Sequence, residues 1–204
     1  MDYEYDIYIS YRRQGFWPLW VTELLRPQVA HWLETELGRE VKVFADSDLE
    51  SGTLWPVKLA HNLARSKIVI PLFSRGYASS PWCRAELAHM FAREDTCGFR
   101  TPLNPDGLVV PATIHDGEHL PAAIRQRLQI KVKLDQYTAI MNAQSPNFEG
   151  LRERVRCWAP EIAAAVDRAP PYDEVWQTLS RAAFEQLLDG PEPKQTSVPS
   201  LGGP

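Results

Sequence analysis

The sequence is short of the features that mark several functional classes. Its three cysteines, Cys83, Cys97 and Cys157, are an odd number with no C-x-x-C spacing, so neither a disulfide framework nor a zinc site is indicated and the expected compartment is reducing. Positive charge is not in excess: 22 Lys plus Arg stand against 26 Asp plus Glu, a formal net charge of -4. That balance gives no electrostatic reason to expect nucleic acid or an anionic membrane as a direct partner. No apolar run approaches the roughly 18 residues of a membrane-spanning helix. The opening residues, Met1-Asp2-Tyr3-Glu4-Tyr5-Asp6, are acidic where a secretory leader is basic. The expectation is a cytoplasmic protein. His61, His89, His115 and His119 have no partners at ligand spacing, so no metal site is expected.

What is present fits one folded domain. The 204 residues are 44% hydrophobic and 24% charged, enough chain for one sizeable core in an ordinary globular composition. Short runs rich in β-branched and aromatic residues read as strands: Tyr5 to Tyr11, Val41 to Phe44, Lys67 to Phe73, Leu108 to Thr113, and a stretch near Ile130 to Leu134. The run from Lys67 to Phe73 is the most apolar and is expected at the centre of the sheet. Helical spacing appears over about Leu19 to Leu37, stopped by Gly38 and kinked or split by Pro27. Further helices are expected over about Thr53 to Arg65, from Pro81 to about Glu94 with Ser80 as N-cap, near Pro121 to Leu128, and over about Asn147 to Asp167. Thr96 to Gly107 reads as a disordered-looking turn segment. Pro170-Pro171 ends this body, an amphipathic helix follows over about Tyr172 to Leu188, and Gly190 to Pro204 is a Pro/Ser/Gly-rich tail expected to be disordered. The expected division is a domain over 1–170, a helical extension over 171–189 and the tail over 190–204.

Five strands alternating with helices imply right-handed crossovers and a doubly wound parallel α/β sheet, for which the flavodoxin-like order 2-1-3-4-5 is expected. Ligands bind such sheets beyond the carboxyl ends of the strands, where the crossovers change direction. Three polar segments converge there: Ser10-Tyr11-Arg12-Arg13, Asp46 to Gly52, and Ser74 to Glu86.

The residues at these places resemble a known family. Tyr5-Asp6-Ile7-Tyr8-Ile9-Ser10-Tyr11-Arg12-Arg13 is similar to the first box of the TIR (Toll/interleukin-1 receptor) domain. Val43-Phe44-Ala45-Asp46 with Leu49-Glu50-Ser51-Gly52 resembles its second strand and following loop. Ser66 to Phe73, then Ser79-Ser80-Pro81-Trp82-Cys83-Arg84-Ala85-Glu86-Leu87, resembles its third strand and the helix after it. The resemblance spans about Tyr5 to Asp167 and points to the bacterial, NAD-cleaving branch.

The resemblance implies a five-stranded flavodoxin-like sheet and one of two functions, because some TIR domains are adaptors and others cleave the nicotinamide-ribose bond of NAD. In enzymatic members the helix after the third strand supplies the catalytic glutamate, here Glu86. The implied activity is that of an NAD glycohydrolase in anti-phage immunity, giving nicotinamide and ADP-ribose or a cyclic ADP-ribose isomer. NAD is then substrate, with no further cofactor. The implied partners are a second copy, engaged through the loop Asp46 to Gly52, and an activating sensor protein. The alternative is a non-catalytic TIR interaction module.

Individual residues carry two meanings each. Trp82 precedes Glu86 by one helical turn, so an indole and a carboxylate can line one pocket; equally, Trp82 extends the apolar stripe of Cys83, Leu87, Met90 and Phe91. Glu86 can stabilise an oxocarbenium-like ribose, or simply answer the helix dipole. Arg12 and Arg13 hold a pyrophosphate through forked hydrogen bonds or form a solvated pair. Asp46 and Glu50 touch ribose or order their loop, and Gly52 permits the turn before Thr53. Ser10, Tyr11 and Phe44 complete the candidate ligand-binding set. The aromatic segment Gln14 to Trp20 is a pocket wall or a contact surface, and the helix bearing Trp176 and Phe184 packs on the body or on another subunit.

Overall fold

The apolar run expected at the centre of the sheet lies there. In the computed structural model, which describes residues 2–45, 55–115, 120–140 and 142–188, β3 (Ser66–Ser74) runs between β1 (Tyr5–Ser10) and β4 (Ala112–His115), with β2 (Val43–Ala45) and β5 (Val132–Lys133) at the edges. Every pairing is parallel and the order is β2-β1-β3-β4-β5, as the alternation of strands and helices predicts. Ile7 pairs with Val43 on one side and Ile68 on the other. Flanked on both edges and covered on both faces, β1 is buried from Asp6 to Ser10, which is why it reads as a nearly continuous apolar run. The loop Asp46 to Gly52 and the tail Gly190 to Pro204 lie outside the described residues.

The first helical region keeps its course past Pro27 by changing its winding. It consists of α1 (Trp17–Trp20), a π turn at Val21–Leu25, and α2 (Arg26–Leu37). Pro27 falls in the first turn of α2, and the wider turn ahead of it makes room for a ring that would otherwise meet the carbonyl one turn back. Gly38 then ends the run at φ 63°, its N–H donating to Glu34 O at 2.9 Å, a left-handed position suited to glycine.

The remaining helices are α3 (Trp55–Ala64), α4 (Pro81–Thr96), α5 (Ala122–Arg127), α6 (Phe148–Asp167) and α7 (Val175–Leu188). α2 packs on α6, while α7 lies against both α3 and α4; right-handed crossovers put these two groups on opposite faces of the sheet. The final helix therefore packs on the body of its own chain. Its base is held by Arg93, a fully buried cation whose Nη1 donates to Ser66 O at 2.8 Å. The Arg93 guanidinium stands 5.0 Å from the Tyr3 ring centre and 5.2 Å from that of Trp176. No helix among the described residues is long and apolar enough to cross a membrane.

One expectation is corrected. The segment Thr96 to Gly107 is ordered, because Glu94 is sealed in the interior and a buried carboxylate must have its oxygens satisfied. Glu94 Oε1 accepts the backbone N–H groups of Leu108 (2.7 Å) and Val109 (3.0 Å), and Oε2 accepts Arg100 Nε at 2.7 Å. Thr101 and Asn104 close the intervening turn with reciprocal backbone bonds. The polar composition of this segment hid an anchor that lies outside it.

Candidate active site

β1 and α4 build the site between them. Tyr8 and Ser10 are two residues apart on β1 and so project from the same face of the sheet. α4 starts at Pro81 after Ser80, whose side chain accepts the Cys83 N–H at 3.4 Å, and this cap sets the direction in which the second turn carries Glu86. The carboxylate ends beside the last residues of β1. Tyr8 Oη donates to Glu86 Oε1 at 2.8 Å, and Ser10 Oγ donates to Oε2 at 2.5 Å.

The donor directions follow from proton counting. Ser10 has one hydroxyl proton, directed at Glu86, so the 2.6 Å contact between Ser10 Oγ and Tyr77 Oη is donated by Tyr77. The chain runs Tyr77 to Ser10 to Glu86, with Tyr8 entering from the other side. Burial, with Cys83 and Glu86 nearby, pushes the Tyr77 hydroxyl well above its usual pKa despite the bond to Ser10, which keeps it a donor at neutral pH. Glu86 is 5% exposed.

The other expected residues divide into four groups. Phe44 and Tyr11, expected in the ligand-binding set, are buried in the core; Phe44 packs behind the Tyr8–Glu86 cluster, its ring 5.0 Å from that of Tyr8. Although β2 is an edge strand, burial of this large apolar ring against Tyr5 and Tyr8 of β1 outweighs its display. Arg12 reaches from the end of β1 to the loop after β3, where its Nη1 donates to Gly76 O (3.1 Å) and Ser79 Oγ (2.8 Å). A Cβ on Gly76 would stand 2.5 Å from Arg12 Nη1, so the glycine lets the guanidinium lie on the backbone. Arg12 borders an open cleft of about 700 Å³ that Phe16, Trp17, Arg75 and His115 also line; the aromatic segment after β1 is thus a wall of this cleft. Arg13 is exposed. Asp46, Glu50 and Gly52 lie outside the described residues.

The Trp82 ring is 5.7 Å from that of Phe184 on α7, tilted by 36°, and neither Trp82 nor Glu86 lines the 700 Å³ cleft or the 840 Å³ cleft bordered by Arg125, Lys133, Asp135 and Arg154. Two members of the cluster, Tyr8 and Tyr77, were not expected at the site. The signal available in sequence was weak: a tyrosine rather than phenylalanine in a fully buried position asks for a hydroxyl partner.

A doubly wound parallel sheet with a carboxylate and three hydroxyls gathered where β1 and β3 part defines a flavodoxin-like α/β domain with a polar centre at its switch point. The chain belongs to the TIR domain family, which matches residues 7–141. It is similar to Disease resistance protein RPP2A of Arabidopsis thaliana, 30% identical over 86 residues, a stretch that is 42% of this chain and 6% of that protein's length. Among solved structures it resembles the TIR domains of the activated Roq1 resistosome directly recognizing the pathogen effector XopQ, at 17% identity and a TM-score of 0.39, covering 91% of this chain and 98% of that one.

Proposed function

We propose that this chain is a cytoplasmic NAD glycohydrolase of bacterial anti-phage immunity, with Glu86 as its catalytic carboxylate. One observation carries the reading: a glutamate fixed by two hydroxyl donors at the carboxyl end of β1, where an α/β sheet offers its ligand site. Cleavage breaks the bond between ribose C1′ and the nicotinamide nitrogen, and the bonding pair leaves with nicotinamide as a neutral molecule. C1′ becomes oxocarbenium-like, and the negative charge of Glu86 lowers the energy of that cation. Water attack, with loss of its proton, gives ADP-ribose; attack by an oxygen of the same nucleotide gives a cyclic isomer. In this reading Arg12, at the end of β1, meets a phosphate oxygen with donors beyond those it gives to Gly76 and Ser79. A second copy, engaged through the loop Asp46 to Gly52, and an activating sensor complete the proposed assembly.

A second reading, a non-catalytic interaction module, is favoured by the burial of Glu86 and by the occupation of both its oxygens. Purified full-length protein incubated with NAD, followed by chromatography of nicotinamide and its co-product, decides between them. Nicotinamide release by the wild type and none by Glu86→Gln supports the enzyme. Equal, background release by both supports the module.

A further inference from the structure

The helix α7 touches the proposed ligand site at its most distinctive side chain. Two ring contacts fix its docking on α4: Phe184 on Trp82, and Trp176 on Arg93. Trp82 and Arg93 lie near the two ends of α4, and Phe184 and Trp176 lie in the opposite order along α7, so the two helices run antiparallel with matched faces. The positions 176, 180 and 184 recur every four residues and form one stripe. On α4 the positions 82, 86, 89 and 93 form the facing stripe, with Glu86 one turn from the indole.

The middle of this contact is poorly satisfied. Ser180 lies between Trp176 and Phe184, and His89 lies between Trp82 and Arg93. Both are buried, and among the described residues neither the Ser180 hydroxyl nor either His89 ring nitrogen has a hydrogen-bond partner. Buried orphan polar groups weaken the packing that contains them. A helix whose seam with α4 is held at its two ends by ring contacts, with such a layer between, is suited to part from α4, giving up its packing on α3 as it leaves, while the rest of the fold stays closed.

We propose that Phe184 is an internal occupant of the ring-stacking face of Trp82, so that docking of α7 and binding of a planar ring of the dinucleotide are mutually exclusive. This rests on the reading of Glu86 and Trp82 as the NAD site and adds its regulation. In the docked state one side of the half-buried indole rests against a phenyl ring and Glu86 is enclosed; release of α7 frees that side of the indole one turn from the carboxylate. A helix that merely braced α4 would support activity, whereas an occupant opposes it.

Two substitutions in the full-length chain move the helix in opposite directions. Phe184→Ala removes the occupying ring and should raise nicotinamide release at low NAD by about tenfold, chiefly through KM. Ser180→Ala removes an orphan hydroxyl, tightens docking, and should lower release several-fold while raising Tm. Where the wild type releases nicotinamide, release that falls or stays level in Phe184→Ala, with circular dichroism unchanged, overturns the proposal. A readout without turnover separates it from the enzymatic reading: hydrogen exchange of Glu86→Gln protein with and without saturating NAD. Amides of α7 exchanging about 100-fold faster than those of α6, and faster still with NAD, support mutual exclusion. Amides of α7 as slow as those of α6, or slowed by NAD, overturn it. Faster exchange with NAD but no nicotinamide from any variant faults the glycosidic chemistry and leaves the competition standing.

Discussion

Ser10 gives its only hydroxyl proton to Glu86, and this donation links Tyr77, in the turn after β3, through β1 to the carboxylate on α4, where Tyr8 of β1 donates as well. Ser10→Ala removes one donor from the carboxylate and strands the Tyr77 hydroxyl in the interior. Loss of stability by about 1–3 kcal/mol is expected from urea unfolding, and nicotinamide release should drop by about tenfold or more in kcat. Tyr77→Phe takes away a donor that Ser10 does not need to hold Glu86, so its effect on kcat should be several-fold smaller.

Glu94 is an anchor of a different kind, because it organises a turn that has no core of its own. Glu94→Gln leaves Arg100 facing a neutral amide in the interior and forces a donor toward the Leu108 and Val109 N–H groups. A loss of about 3–5 kcal/mol is expected. Limited trypsin digestion should cut at Arg100 in the variant well before the wild type.

Asp6 links stability to acid. Burial pushes its carboxyl up, but hydrogen bonds from Arg39 (2.8 and 3.0 Å), Lys67 (2.9 Å) and the Lys42 N–H (3.1 Å) outweigh it and hold the pKa at about 2, against 3.8 ordinarily. The folded state favours the ionised form, so the contribution is complete above pH 4 and is lost as pH falls toward 2. It amounts to roughly 2 kcal/mol. Asp6→Asn should be less stable than wild type by about that amount at pH 7, and the two unfolding curves should converge near pH 2.

His89 acts in a higher window. Burial, and then the charge of Arg93, push its pKa from 6.5 to about 3. The folded protein holds it neutral while the unfolded chain takes a proton below 6.5. Its contribution is therefore constant above that pH and declines by about 1.4 kcal/mol per pH unit on the way down to 3. His89→Leu should flatten the stability profile between pH 6 and 4, a range in which Asp6 contributes little change.

Sheet order and the positions of the main helices were legible because burial on both faces leaves a direct imprint: β1 and β3 are apolar runs, and Gly38 and Ser80 mark helix ends by their own chemistry. The site was legible only in part. Glu86 and Ser10 are neighbours, but Phe44, read as a ligand-binding residue, is buried against Tyr5 and Tyr8; Tyr8 stood unmarked in an apolar run and Tyr77 in a polar segment, because a buried hydroxyl leaves no trace in hydrophobic periodicity. The order of Thr96 to Gly107 was hidden for a similar reason, since its determinant is a carboxylate in the preceding helix. That α7 lies on Trp82 was beyond reach: an amphipathic pattern says that a face is covered, never by what.

Arg93 has a practical consequence for anyone handling this protein. Its guanidinium lies between a ring contributed by the third residue and a ring from the last helix, and Tyr3 Oη also donates to Pro170 O at 2.8 Å. A purification handle fused directly ahead of Tyr3 would crowd the clasp that seats the distal helix, so its removal, or a generous spacer, belongs in any preparation whose activity is to be compared.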